Sequence, residues 1–254
     1  MSRARSTSLG PGPAPRLLAE ATLVLLATCA ALVVAVGGMA RLGDTGPAFA
    51  IAAPLGFGLI AAAVLVALPA HPHARFGMAN ILTTARAGLT ALIGALAFEA
   101  ERLGAGAPVL TWLATGTAAA ALCLDGLDGY AARRRAEVSR FGARFDMEID
   151  ALLILLLCVL LHGSGKVGAW IYALGSMRYA FVLAQWQWPA LADCRLPPSL
   201  RRKTVCVVQG WVLCVGLAPT VTAPLASAMA AAALALLAGS FARDTHYLLT
   251  ADRP

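Results

Sequence analysis

Long, unbroken apolar stretches recur along this 254-residue chain, and they constrain its fold more than any other feature. A hydrocarbon layer about 30 Å thick takes roughly 20 mainly apolar residues per spanning helix. Inside that layer every backbone N–H and C=O needs an internal partner, which leaves helices or a closed barrel. Barrel strands alternate polar and apolar side chains over about 10 positions. The stretches here are apolar throughout and rich in Ala and Leu. The expected fold is therefore all-α, a polytopic membrane helical bundle. Composition agrees, since a chain that is 59% hydrophobic and 13% charged is too apolar for an ordinary soluble domain.

Eight spans are expected, at about 17–40, 47–68, 79–98, 109–127, 149–162, 167–188, 204–217 and 223–241. The first is longer than the 7–15 residues of a signal-peptide core and reads as an uncleaved span. The fifth and seventh are short and need helical extension into their polar flanks. With eight spans, 15 of the 20 Lys and Arg residues fall on the side of the termini, and the opposite loops hold Arg41, Arg102 and Lys166. The positive-inside rule then places both termini and the loops 128–148 and 189–203 in the cytoplasm, as in a bacterial inner-membrane protein. That bias accounts for the net charge of +7, so nucleic acid is not an expected partner. The six cysteines form no C-x-x-C pair and read as small buried hydrophobes.

The chemistry concentrates in LDGLDGYAARRRAEVSRFGARFDMEIDALLILLL, which begins at Leu124. Asp125 and Asp128 are spaced i, i+3, and Asp146 and Asp150 i, i+4, so each pair shares a helix face. Two antiparallel helices with a short connection bring those faces together. One Asp at mid-bilayer costs about 2.5–3.5 kcal/mol, and converging charges add repulsion. Something positive must sit among them. Carboxylates without Cys or His beside them suit Mg²⁺, or Mn²⁺, rather than zinc. The competing expectation is a solvated helix-end patch neutralised by neighbouring arginines. Gly129 and Gly142 would let a phosphate approach the backbone, and Arg133, four residues beyond Gly129, would pair with it.

Asp125-x-x-Asp128-Gly129-x-x-Ala132-Arg133, eight residues, then Gly142-x-x-x-Asp146-x-x-x-Asp150 resembles the complete signature of the CDP-alcohol phosphatidyltransferase family. Asn80-x-x-Thr83-x-x-Arg86 is similar to the family's N-terminal element. The resemblance implies a six-helix core, here preceded by two extra transmembrane helices. The expected division is a disordered basic tail at 1–16, the extra helices at 17–70, the core at 71–245 and a C-terminal tail at 246–254. It also implies that an acceptor alcohol displaces CMP from a CDP-linked lipid, usually CDP-diacylglycerol. On this resemblance Asp125, Asp128 and Asp146 hold one or two Mg²⁺ ions, and Asp150 completes the metal site and is the general base. Gly129, Arg133, Ser139 and Gly142 would contact the CDP-lipid. Asn80 and Thr83 would line the nucleotide pocket or serve as interhelical hydrogen-bond partners.

The signature does not choose the acceptor. Arg201, Arg202 and Lys203 cluster before the seventh span, and Arg178 lies within the sixth, where an Arg normally faces a polar cavity or a partner. Those four cations suit a phosphorylated acceptor, a polyol phosphate such as glycerol 3-phosphate or inositol phosphate. The alternative for the cluster is topology or contact with anionic headgroups. Two rival classes differ in their signals. Membrane prenyltransferases also bind a lipid diphosphate through Asp-rich helices but lack the Gly-x-x-Ala-Arg element, and a transporter gives no reason for the third and fourth aspartates. The extra helices carry no legible role; packing on the core, supporting a homodimer and recruiting a partner are the alternatives.

Overall fold

The computed structural model describes residues 14–104, 106–135, 139–187 and 199–250. Parts of both expected tails, and of the loop at 189–203, lie outside these residues. Eight α-helices are described: α1 (Pro15–Gly43), α2 (Pro47–Ala67), α3 (Met78–Ala95), α4 (Pro108–Arg135), α5 (Arg140–Gly163), α6 (Tyr172–Gln187), α7 (Leu200–Leu217) and α8 (Ala223–Thr250). Short 3₁₀ turns follow α2 and α3 and precede α6. The described residues contain no strand, so the chain is a polytopic all-α membrane protein.

Among the described residues, five segments are long and apolar enough to cross a membrane: Pro15–Gly43, Pro47–Ala70, Met78–Arg102, Pro108–Gly126 and Ala223–Thr245. Helices α5, α6 and α7 occupy the other expected places but fall short of that standard. The reasons are visible in their residues. Helix α5 carries Arg140, Arg144, Asp146, Glu148 and Asp150 in its first turns, α6 has only 16 residues, and α7 opens on Arg201, Arg202 and Lys203.

Helix ends follow local chemistry. Pro15 and Pro47 open α1 and α2, where a missing N–H costs nothing. Helix α5 starts at Arg140, nine residues before the apolar stretch, because Ser139 caps it: the Ser139 Oγ accepts from the Gly142 N–H at 2.9 Å. Helix α6 starts at Tyr172 rather than near 167, because the preceding loop turns through Gly165 at φ 72°. That turn sends Lys166 inward, where its Nζ donates to the carbonyls of Gly216, Leu217 and Ala218 at 3.1, 3.0 and 2.6 Å. These are carbonyls that the end of α7 leaves without helical partners. Burial holds the Lys166 ammonium below its ordinary pKa.

Helix α3 is the inner helix, with 61% of its most apolar window buried against 22% for α1, α2 and α8. Helices α1 and α2 accordingly present Leu23, Leu26, Val34, Leu59 and Val66 outward. Close approach depends on small residues. A Cβ on Gly88 of α3 would stand 2.8 Å from Thr28 of α1, and one on Gly210 of α7 would stand 2.7 Å from Leu122 of α4.

The N-terminal pair is fastened to the rest at both ends. Glu20 of α1 accepts from the Phe76 N–H at 3.1 Å, just ahead of α3. At the other end the buried Glu99 accepts from the Gly46 N–H at 2.6 Å and from Arg102 at 2.7 Å, while Arg102 also donates to the Asp44 carbonyl at 2.7 Å. Removing residues 1–70 would strip α3 of its α1 and α2 neighbours and break both fastenings. The truncated protein is expected to show a clearly lower thermal midpoint in detergent and reduced transfer activity, and Glu20→Ala a smaller fall of the same sign. A truncated protein with an unchanged midpoint would show that the pair is dispensable.

Candidate active site

Three helices build the site. Helix α3 brings Arg86, the final turns of α4 bring Asp125, and α5 brings Asp146 and Asp150 one turn apart. The Arg86 side chain is fully buried, and its guanidinium gathers the three carboxylates. Nη1 meets Asp125 Oδ1 at 2.5 Å, and Nη2 meets Asp150 Oδ1 at 3.1 Å and also binds Asp146 Oδ1. The same Nη2 donates to the Asp146 backbone carbonyl at 3.2 Å. One carboxylate oxygen from each of the three aspartates lies within 4.8 Å of the others. About a third of each carboxylate remains exposed, with values of 30%, 37% and 32% for Asp125, Asp146 and Asp150. The counter-ion is thus fully enclosed and the carboxylates face outward from it.

The facing-pairs expectation holds for Asp125, Asp146 and Asp150. Asp128, Gly129 and Arg133 lie on the last turns of α4, and their side chains are outside the described residues.

A second cluster joins the starts of α3 and α5. Asn80 is 5% exposed and donates from Nδ2 to the Phe76 carbonyl at 2.5 Å. Its Oδ1 stands 2.8 Å from where a Cβ on Gly142 would be, and the Ser139 Oγ stands 3.1 Å from that same point. Gly142 therefore lets α5 close onto Asn80, a packing reason for glycine at this position. Thr83 turns back on its own helix, donating to the Ala79 carbonyl at 3.0 Å. Four of the residues expected around the nucleotide, Asn80, Thr83, Ser139 and Gly142, thus sit at or near one contact between two helix starts.

A cavity of about 310 Å³ opens on the other side of Asp150, lined by Arg178 of α6, Arg202, Cys206 and Gln209 of α7, and Asp244 of α8. Two of the four expected acceptor cations reach it. Arg178 also pairs with Glu148 at 2.7 Å, and Arg202 lies 3.4 Å from Asp244. Arg201 instead ties α7 to α8, donating to Asp244 at 2.5 Å and to the Ser240 carbonyl and hydroxyl at 2.7 and 2.6 Å. Lys203 is exposed.

Arg86 falls in a motif and inside an expected span, but local spacing does not name its partners. An intramembrane Arg, expected to face a partner, was the available signal.

Together these features define a polytopic helical membrane protein with clustered carboxylates on two consecutive helices, one of which, Asp150, lines a largely apolar cavity that also carries Arg178, Arg202, Gln209 and Asp244. The chain belongs to the CDP-alcohol phosphatidyltransferase family, whose model matches residues 76–240. It is a phosphotransferase, and the family places it in phospholipid biosynthesis. The match begins at Phe76, so α1 and α2 lie outside it. Searches of curated proteins and of solved structures each returned no match.

Proposed function

We propose that this enzyme transfers a phosphatidyl group from CDP-diacylglycerol, or a closely similar CDP-linked lipid, to the hydroxyl of a polyol phosphate such as glycerol 3-phosphate or inositol phosphate, releasing CMP. The observation that carries the reading is the convergence of Asp125, Asp146 and Asp150 within 4.8 Å beside a cavity that also presents Arg178 and Arg202.

The donor set fits a hard divalent cation. All three described ligands are carboxylate oxygens, with no Cys or His among them. Magnesium–oxygen bonds of about 2.1 Å allow ligand oxygens up to about 4.2 Å apart around one ion, close to the observed spread. Asp128, on the same helix as Asp125, is the fourth candidate ligand. Bound Mg²⁺, or Mn²⁺, as one or two ions would neutralise charge on the donor diphosphate and on the departing CMP.

The chain's own residues do the rest. Asp150 lines the acceptor cavity and faces the carboxylate cluster, so it is the group placed to take the hydroxyl proton. As that proton leaves, the acceptor oxygen bonds to the lipid-side phosphorus and the bond between the two phosphates breaks. Arg178 and Arg202 orient the acceptor's own phosphate. Gly129, Arg133, Ser139, Gly142, Asn80 and Thr83 are the proposed contacts of the CDP moiety. The concentration of Arg and Lys in the loops 128–148 and 189–203 supports a site on the cytoplasmic side of an inner membrane.

Incubating the purified protein with Mg²⁺, CDP-diacylglycerol and a panel of alcohols, and identifying the lipid product, tests the reading. Transfer is expected to disappear in excess chelator and to return on adding Mg²⁺ or Mn²⁺. Full activity in chelator would remove the metal from the site.

A further inference from the structure

Most of the buried polar side chains among the described residues are satisfied by hydrogen bonds, and Gln209 is one of the few with a buried atom left over. Asn80, Thr83, Thr84, Thr90, Ser139 and Lys166 all make hydrogen bonds. Gln209 is buried just as deeply, at 4% exposure, and its Nε2 has no hydrogen-bond partner among the described residues. An amide left in this state carries a desolvation cost that the protein does not recover internally. Gln209 also lines the cavity that holds Asp150, Arg178 and Arg202. Unmatched polar capacity at the wall of a binding cavity is capacity left for a ligand.

We propose that the Gln209 amide recognises a second hydroxyl of the acceptor, so that the cavity selects a polyol over an alcohol bearing only the reacting hydroxyl. The inference rests on the reading of this cavity as the acceptor site. The division of labour follows from the chemistry of the lining. Guanidinium groups suit the acceptor's anionic end, and the Asp150 carboxylate takes the proton of the hydroxyl that reacts. Neither provides a neutral group that both donates and accepts. A side-chain amide does both, and rotating it by 180° exchanges its donor and acceptor, so it matches a hydroxyl in either sense. A site built to hydrogen-bond a hydroxyl discriminates strongly against the analogue that lacks it. Gln209 is therefore a specificity-determining residue, and its unsatisfied Nε2 is a stability cost associated with selection.

The test uses the full chain, CDP-diacylglycerol and three probes: glycerol 3-phosphate, inositol phosphate, and 3-hydroxypropyl phosphate, which keeps one reacting hydroxyl and the phosphate but lacks a second hydroxyl. Wild type is expected to prefer the polyol phosphate that it uses over 3-hydroxypropyl phosphate by about tenfold or more in kcat/KM. Gln209→Leu, close in shape, is expected to lose most of that preference through a raised KM for the polyol. It is also expected to keep or raise the thermal midpoint, because the unsatisfied group is gone. A lowered midpoint would mean that the amide serves the fold, and equal losses with polyol and analogue would mean that it does not read the second hydroxyl. Either result overturns the inference alone. Wild type that releases CMP with none of the three probes overturns the acceptor-site reading, and the inference with it.

Discussion

Asp150→Asn is expected to cut phosphatidyl transfer by about 10²-fold or more while leaving the protein folded. The amide keeps the size of the carboxylate but removes the proton acceptor that faces the acceptor cavity. Folding should survive because Arg86 retains Asp125 and Asp146, both closer to it than Asp150, whose pairing at 3.1 Å is the one weakened. The measurement is CMP release from CDP-diacylglycerol at saturating acceptor, alongside a thermal midpoint. Release near the wild-type rate would take the base role away from Asp150. A midpoint far below wild type would show that the third pairing matters to the fold.

Arg86→Met should have the largest effect on stability. The substitution preserves an unbranched chain in a fully buried position but leaves three converging carboxylates without the guanidinium that joins them. Removing one partner from a buried charge pair costs about 3–5 kcal/mol, and the partial exposure of these carboxylates places the expectation near the lower end. The metal dependence of this loss is more informative than its size. A divalent cation bound at the same oxygens would replace the missing positive charge, so Mg²⁺ should raise the midpoint of Arg86→Met more than that of wild type. Chelator should widen the gap. An Arg86→Met protein as stable as wild type in chelator would show that the cluster needs no internal counter-ion.

The sequence disclosed most of the frame and part of the site, and the division has physical reasons. Apolar stretches locate helices because burial in lipid is a one-dimensional requirement, satisfied residue by residue. The i, i+4 spacing of Asp146 and Asp150 likewise fixes a shared face whatever the tertiary fold. Arg86 was different. Its partners lie 39 to 64 positions away on two other helices, and nothing in local spacing records which helix faces which. Converging aspartates require positive charge among them, but their spacing does not say whether a metal or a guanidinium supplies it, and here α3 contributes the Arg86 guanidinium. Gly142 shows a related limit. A missing side chain permits either a ligand or a neighbouring helix to approach, and only the position of Asn80 distinguishes them. Glu20 and Glu99 were unreadable for the same reason, since each fastens to a backbone N–H more than fifty residues away.

Helix α5 also bears on how the protein is assembled in the bilayer. Every residue from 149 to 164 is at least partly covered by protein, so this helix has no side reserved for lipid. Its charged first turns and its enclosure belong together, because a segment surrounded by other helices has no lipid belt to maintain. Such a segment relies on its neighbouring helices, more than on lipid, to cover its apolar residues, and on Arg86 of α3 to balance the carboxylates of its first turns.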